Sequence, residues 1–129
     1  MPLIRIDIFR GKPPEYRVAL RDTVCQTLGD VLGVPAEDCH AVITNHDFEN
    51  RDAAPQLVAV ESISDAILVQ IGFTDYLGLE QKRILYTAIV QALRQRLGLH
   101  LQDVALNLFE VKKNGYFGDI AHYFDAQPR

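Results

Sequence analysis

A proline stands second in the chain, and Pro2-Leu3-Ile4-Arg5-Ile6-Asp7-Ile8 continues from it in a strand pattern. Removal of Met1, usual before so small a residue, leaves Pro2 with a free secondary amine. An α-amino group titrates at roughly 7.7 to 8.0, and apolar neighbours or a nearby cation lower that value by disfavouring the charged form. Poised near working pH, such an amine takes a proton from carbon or oxygen and returns it elsewhere; kept protonated, it is a general acid. The plainer role for the same residue is the start of an edge strand, where a missing N–H costs nothing.

The other reactive residue types offer less. Cys25 and Cys39 make no CxxC pattern and are too few for a disulfide framework, so both are expected as reduced packing residues. His40 and His46 fall on one strand face, with Asp47 and His122 as further donor types. Their spacing matches no recognised ligand motif, and no metal is expected. A glycine-rich phosphate loop is also lacking, so no nucleotide cofactor is expected.

A buried amine needs elements to bury it. Ile4, Ile6 and Ile8 alternate with Arg5 and Asp7, which gives a strand with one buried face. After a turn at Gly11-Lys12-Pro13-Pro14, apolar residues from Leu20 to Leu32 recur at helical spacing, so a helix is expected over 14–32, ended by Gly33. Val34 to Asp38 is a connecting loop, and Cys39 to His46 a second strand. The order then returns: a strand over Ala66 to Thr74, a helix over Leu79 to Leu97 stopped by Gly98, and a strand over Val104 to Val111. A shift of about 65 positions superimposes the halves, setting Leu20 on Leu85, Gly33 on Gly98 and Asp38 on Asp103.

The duplication predicts an α+β fold. Two β-α-β units, about 2–46 and 67–111, each with parallel strands, form a four-stranded sheet with both helices on one face. A single domain over 1–129 is expected. The bare face carries Arg5, Asp7, Gln70, Gly72, Val42, Thr44, His46, Asn107 and Phe109. That mixture is too apolar for water and too polar for a core, so other subunits are expected to cover it. Between the halves, Asp47 to Ser64 reads as a surface excursion. The tail from Lys112 carries Tyr116, Phe117, Tyr123 and Phe124, a pattern expected to fold over a neighbouring subunit or a pocket mouth.

At 129 residues with 48% apolar content, the chain is long enough for a real core. A net charge of −4 with scattered Lys and Arg argues against a nucleic-acid groove and favours a small-molecule partner. No signal peptide is evident, and the longest apolar run falls far short of the roughly 20 residues that span a bilayer. A cytoplasmic protein without a membrane partner is expected.

A tandem β-α-β chain that opens Met-Pro, with a Gly-Lys turn after its first strand, resembles the tautomerase superfamily of 4-oxalocrotonate tautomerase-like proteins. The segments Pro2 to Asp7, Gly33 to Asp38, Val42 to Asp47, Glu80-Gln81-Lys82 and Phe117-Gly118 look like its malonate semialdehyde decarboxylase branch. The resemblance implies a trimer in which Pro2 is the general acid or base and Asp38 matches the carboxylate that helps activate water. A repeated Asp before a strand, as at Asp103, also fits a loop-capping role. Two arginines of the branch correspond here to Asp75 and Leu77, so the carboxylate clamp they form is missing. Lys12 and His40 fall where short tautomerases place substrate-binding arginines, at subunit boundaries of a trimer. Tyr76 stands where it can donate to an enolate, and Tyr116 and Phe117 shape the pocket.

The expected activity is therefore a tautomerase-type isomerisation, Pro2 moving a proton on a small enol or 2-oxo acid. Two alternatives stand beside it: decarboxylation or hydration of a 3-oxo acid, and a trimeric binding protein that has lost its chemistry.

Overall fold

The computed structural model describes residues 2–47 and 65–111. Strand β1 runs Leu3–Phe9, helix α1 Pro14–Leu32 and strand β2 Ala41–His46, with a short 3-10 turn at Ala36–Asp38 between the last two. The second half repeats this with β3 Ile67–Phe73, α2 Leu79–Leu97, a 3-10 turn Leu101–Asp103 and β4 Val104–Glu110. Both helices have the expected bounds because glycine stops them. Gly33 and Gly98 take φ of 72° and 66°, left-handed values that glycine alone adopts without strain.

The strands form one sheet in the order β2-β1-β3-β4. Within each half the pairing is parallel, as expected, and β1 meets β3 antiparallel, with Ile4 opposite Ile71 and Ile8 opposite Ile67. Three strand starts differ from the sequence reading, the first beginning at Leu3 rather than Pro2. The second strand begins at Ala41 rather than Cys39, because residues 36–38 wind into a turn whose backbone bonds, Asp38 N–H to Pro35 O and Cys39 N–H to Ala36 O, stay within that turn. The third begins at Ile67.

Alternation decides which face each helix covers. Ile4, Ile6 and Ile8 of β1 and Val69 and Ile71 of β3 are buried against Leu20, Val24 and Leu28 of α1 and Leu85, Ile89 and Leu93 of α2. Each such side chain contributes about 1.5–3 kcal/mol of transfer free energy, so this layer dominates stability.

Among the described residues, the opposite face carries no helix. Register puts Arg5 between Val42 and Gln70, and Asp7 between Thr44 and Leu68. Asp7 receives the Arg5 guanidinium at 3.2 Å and lies 2.7 Å from His46 Nε2, forming a polar chain along this face. Next to it Val42 is 65% exposed and Leu3 49%. At the other edge the Phe109 ring lies over Gly72, so closely that a Cβ there would approach it to 2.9 Å. Glycine is what lets the ring approach the sheet so closely.

Candidate functional site

Pro2 is buried at the head of β1, an inner strand of the sheet. Its position follows from the pairing. Ile4 stands opposite Ala41 in the parallel pair and Leu3 opposite Gly72 in the antiparallel pair. Carried to the strand end, that register sets Pro2 level with Cys39 on one side and Phe73 on the other. The end of the sheet around Pro2 therefore gathers the turn entering β2, the connection leaving β3 and the end of β4.

From the β2 side come Asp38 and His40, both exposed. Asp38 closes the 3-10 turn, and only its backbone N–H is engaged, by Pro35 O at 3.0 Å. Its carboxylate has no hydrogen-bond partner among the described residues and so does not cap the turn. His40, the residue before β2, lines a groove of about 740 Å³ that runs along α1 outside the strand. Pro2 does not line this groove.

The cysteines correct the sequence reading. Cys25 of α1 and Cys39 are joined as a disulfide rather than standing as separate reduced thiols. Their Cα atoms lie 5.7 Å apart, within the range of about 4.4–6.8 Å that a bridge requires. The crossover through α1 supplies this proximity, which a sequence separation of 14 does not announce.

From the β3 side come Asp75 and Tyr76, in the connection to α2. Asp75 is exposed, and Tyr76 is 83% exposed. Leu77 turns inward and joins the core at 8% exposure, so the second of the two arginine positions is filled by packing. Helix α2 then begins with Gly78 N–H donating to Gln81 Oε1 at 3.2 Å. An ion pair closes this end of the sheet: Lys82 Nζ lies 2.8 Å from Glu110 Oε1. The hydrogen bond from Lys82 holds the Glu110 carboxyl below its usual 4.5. Neither residue stood out as a pair in the sequence, since they meet only through the β3–β4 register.

Lys12 is at the opposite end. Strand β1 has seven residues, and at about 3.3 Å per residue it separates Lys12 from Pro2 of the same chain by more than 20 Å. There Lys12 binds Asp65 at 2.5 Å and lies 5.4 Å from the centre of the Tyr16 ring. Burial, then the Asp65 and Asp103 carboxylates, push the Tyr16 phenol up to about 12. Tyr116 and Phe117 lie outside the described residues, as does His122.

Of the residues weighed for a metal, His46 is engaged with Asp7, and Asp47 with Arg10 at 2.8 Å. Among the described residues, no group of three or more His, Cys, Asp or Glu could hold an ion. None of their helices is long and apolar enough to cross a membrane.

Comparison with known proteins agrees with this fold. A family model described as "Tautomerase enzyme" matches residues 39–116, and a second of the same description matches residues 2–64. A probable tautomerase of Bacillus subtilis, YusQ, is 25% identical over 108 residues, covering 84% of this chain and 85% of its own. Among solved structures, the FG41 malonate semialdehyde decarboxylase inhibited by 3-bromopropiolate superimposes with a TM-score of 0.75 at 28% identity, over 98% of this chain and 99% of its own. A fused 4-OT symmetric trimer superimposes with a TM-score of 0.63 at 21% identity, over 88% of this chain and 89% of its own, a likeness of fold.

Proposed function

This chain belongs to the tautomerase family, and we propose that its Pro2 amine, freed by loss of Met1, moves a proton between carbon and oxygen of a small enol or 2-oxo acid. The observation that carries this reading is the burial of Pro2 at the head of an inner strand, with Asp38, His40, Asp75 and Tyr76 brought to the same end of the sheet. Removal from water keeps the amine's neutral form accessible near neutral pH. The neutral nitrogen takes the proton from the enol oxygen or the α-carbon and returns it at the other atom. Tyr76 donates to the oxyanion that develops meanwhile, and Tyr116 and Phe117 form the apolar walls.

The substrate's negative charge needs a donor. His40 offers a ring N–H from within the protomer. Lys12, paired here with Asp65, reaches the site of another protomer only across a subunit boundary, as in a trimer built on the open sheet face. The symmetric trimer of fused 4-OT supports such an assembly. The exposed Val42 and Leu3 and the polar chain of Arg5, Asp7 and His46 would then be covered.

A second reading, hydration or decarboxylation of a small 3-oxo acid, is favoured by the unengaged Asp38 carboxylate and by the likeness to FG41 malonate semialdehyde decarboxylase. Asp38 then activates water while Pro2 holds the substrate carbonyl. Phenylenolpyruvate and 2-hydroxymuconate are the probes for the first reading. Turnover that falls at least 100-fold in Pro2→Ala supports it, and turnover that survives the substitution overturns it.

A further inference from the structure

We infer that Cys25 and Cys39 form a thiol–disulfide latch that holds the Asp38–His40 segment in place beside Pro2, and that a dithiol reductant opens it. The functional consequence, though not the latch itself, rests on the proline chemistry proposed above. No residue of the turn at Ala36–Asp38 is buried. Local backbone bonds hold the segment: Val34 N–H to Leu28 O, Asp38 N–H to Pro35 O and Cys39 N–H to Ala36 O. The turn has few buried contacts and opens at low cost; the covalent link from Cys39 to α1, together with the packing of Cys39 in the core beside Val34 and Ala41, fastens it. Beyond it, β2 is an edge strand whose pairing with β1 begins only at Ala41.

The two sulfurs differ in access. Both cysteines line the groove of about 740 Å³, but Cys39 is 7% exposed, whereas Cys25 is partly exposed on α1. A thiolate of the reductant therefore attacks Cys25. The sulfur–sulfur bond breaks, Cys39 leaves as a thiolate and takes a proton, and a mixed disulfide remains on Cys25. The reductant's second thiol then displaces Cys25, which is protonated in turn. One dithiol is oxidised to its disulfide and two protein thiols are formed. A small-molecule disulfide reverses the exchange in two steps and closes the latch.

The test compares the full-length protein after oxidised glutathione and after dithiothreitol. Alkylation followed by intact mass should count no thiols in the first state and two in the second. Amide exchange over residues 36–41 should speed up at least tenfold on reduction. Turnover of the enol probe should fall about tenfold, because displacing a positioned group by an ångström costs up to about 100-fold, and reoxidation should restore it. Cys25→Ser and Cys39→Ser should each stay at the reduced level whatever the treatment. Equal exchange over 36–41 in the two states overturns the latch, as does measurable turnover that ignores redox state. Exchange that responds while turnover is absent from both states supports the latch and overturns the proline chemistry instead.

Discussion

Asp38 and Asp103 hold the same place in the two halves, each the last residue of a 3-10 turn before a strand, yet Asp38 is exposed while Asp103 is 1% exposed. The duplication copied the backbone and not the surroundings. Asp103 packs at the Lys12 end of the sheet, close enough to Tyr16 to act on its titration, and one carboxylate oxygen is buried without a partner. Asp38 stands at the Pro2 end with its carboxylate unengaged. A shared capping role explains neither residue.

Asp38→Asn should leave stability within about 0.5 kcal/mol of the parent, because an exposed side chain without partners is replaced by one of the same shape. Kinetics separate its roles. Tautomerisation should be spared, while any hydration or decarboxylation of a 3-oxo acid should be abolished. Parallel loss of both activities would show that Asp38 serves the proline rather than water.

Tyr16 gives the chain an alkaline limit. Its phenol titrates near 10 when unfolded and about 12 when folded. A raised folded value stabilises the protein fully below pH 10, and that contribution is lost as pH climbs toward 12, because the unfolded chain releases the proton first. Tyr16→Phe removes this slope. It also deletes a buried hydroxyl that has no hydrogen-bond partner, so at pH 7 stability should be unchanged or higher by about 1 kcal/mol. Denaturant titrations of both proteins across that pH range check it.

Gly72→Ala should be costly although the position lies in a strand with ordinary φ. The added methyl meets Phe109 at 2.9 Å and the Val111 side chain at 2.8 Å, and such overpacking costs about 1–3 kcal/mol. The Phe109 ring must shift, so a drop in thermal midpoint is expected, together with weaker association of the trimer proposed above. Sedimentation of the variant measures the second effect.

Much of the fold was legible because its punctuation is local. Gly33 and Gly98 ended the helices where they were placed, and the alternation of Ile4, Ile6 and Ile8 correctly assigned the buried face. The pairing of β1 with β3 was not spelled out, since repeat logic fixes strands within a half and leaves the joint between halves open. Pro2 and Asp38 stood out as candidates by type and motif. The disulfide, the Lys12–Asp65 pair and the Lys82–Glu110 pair did not, because each joins residues that only tertiary register brings together. The cysteines carried the least signal of all, having neither motif nor repeat partner.

The proline nitrogen itself can be followed directly, by confirming from intact mass that Met1 is absent and titrating the 15N-labelled Pro2 amine by NMR in the oxidised protein. Burial at the head of β1 predicts a midpoint below the range of roughly 7.7–8.0 that a free α-amino group shows. A midpoint at or above that range, or a nitrogen still acylated by Met1 in protein recovered from its own cells, would contradict a catalytic base at this position.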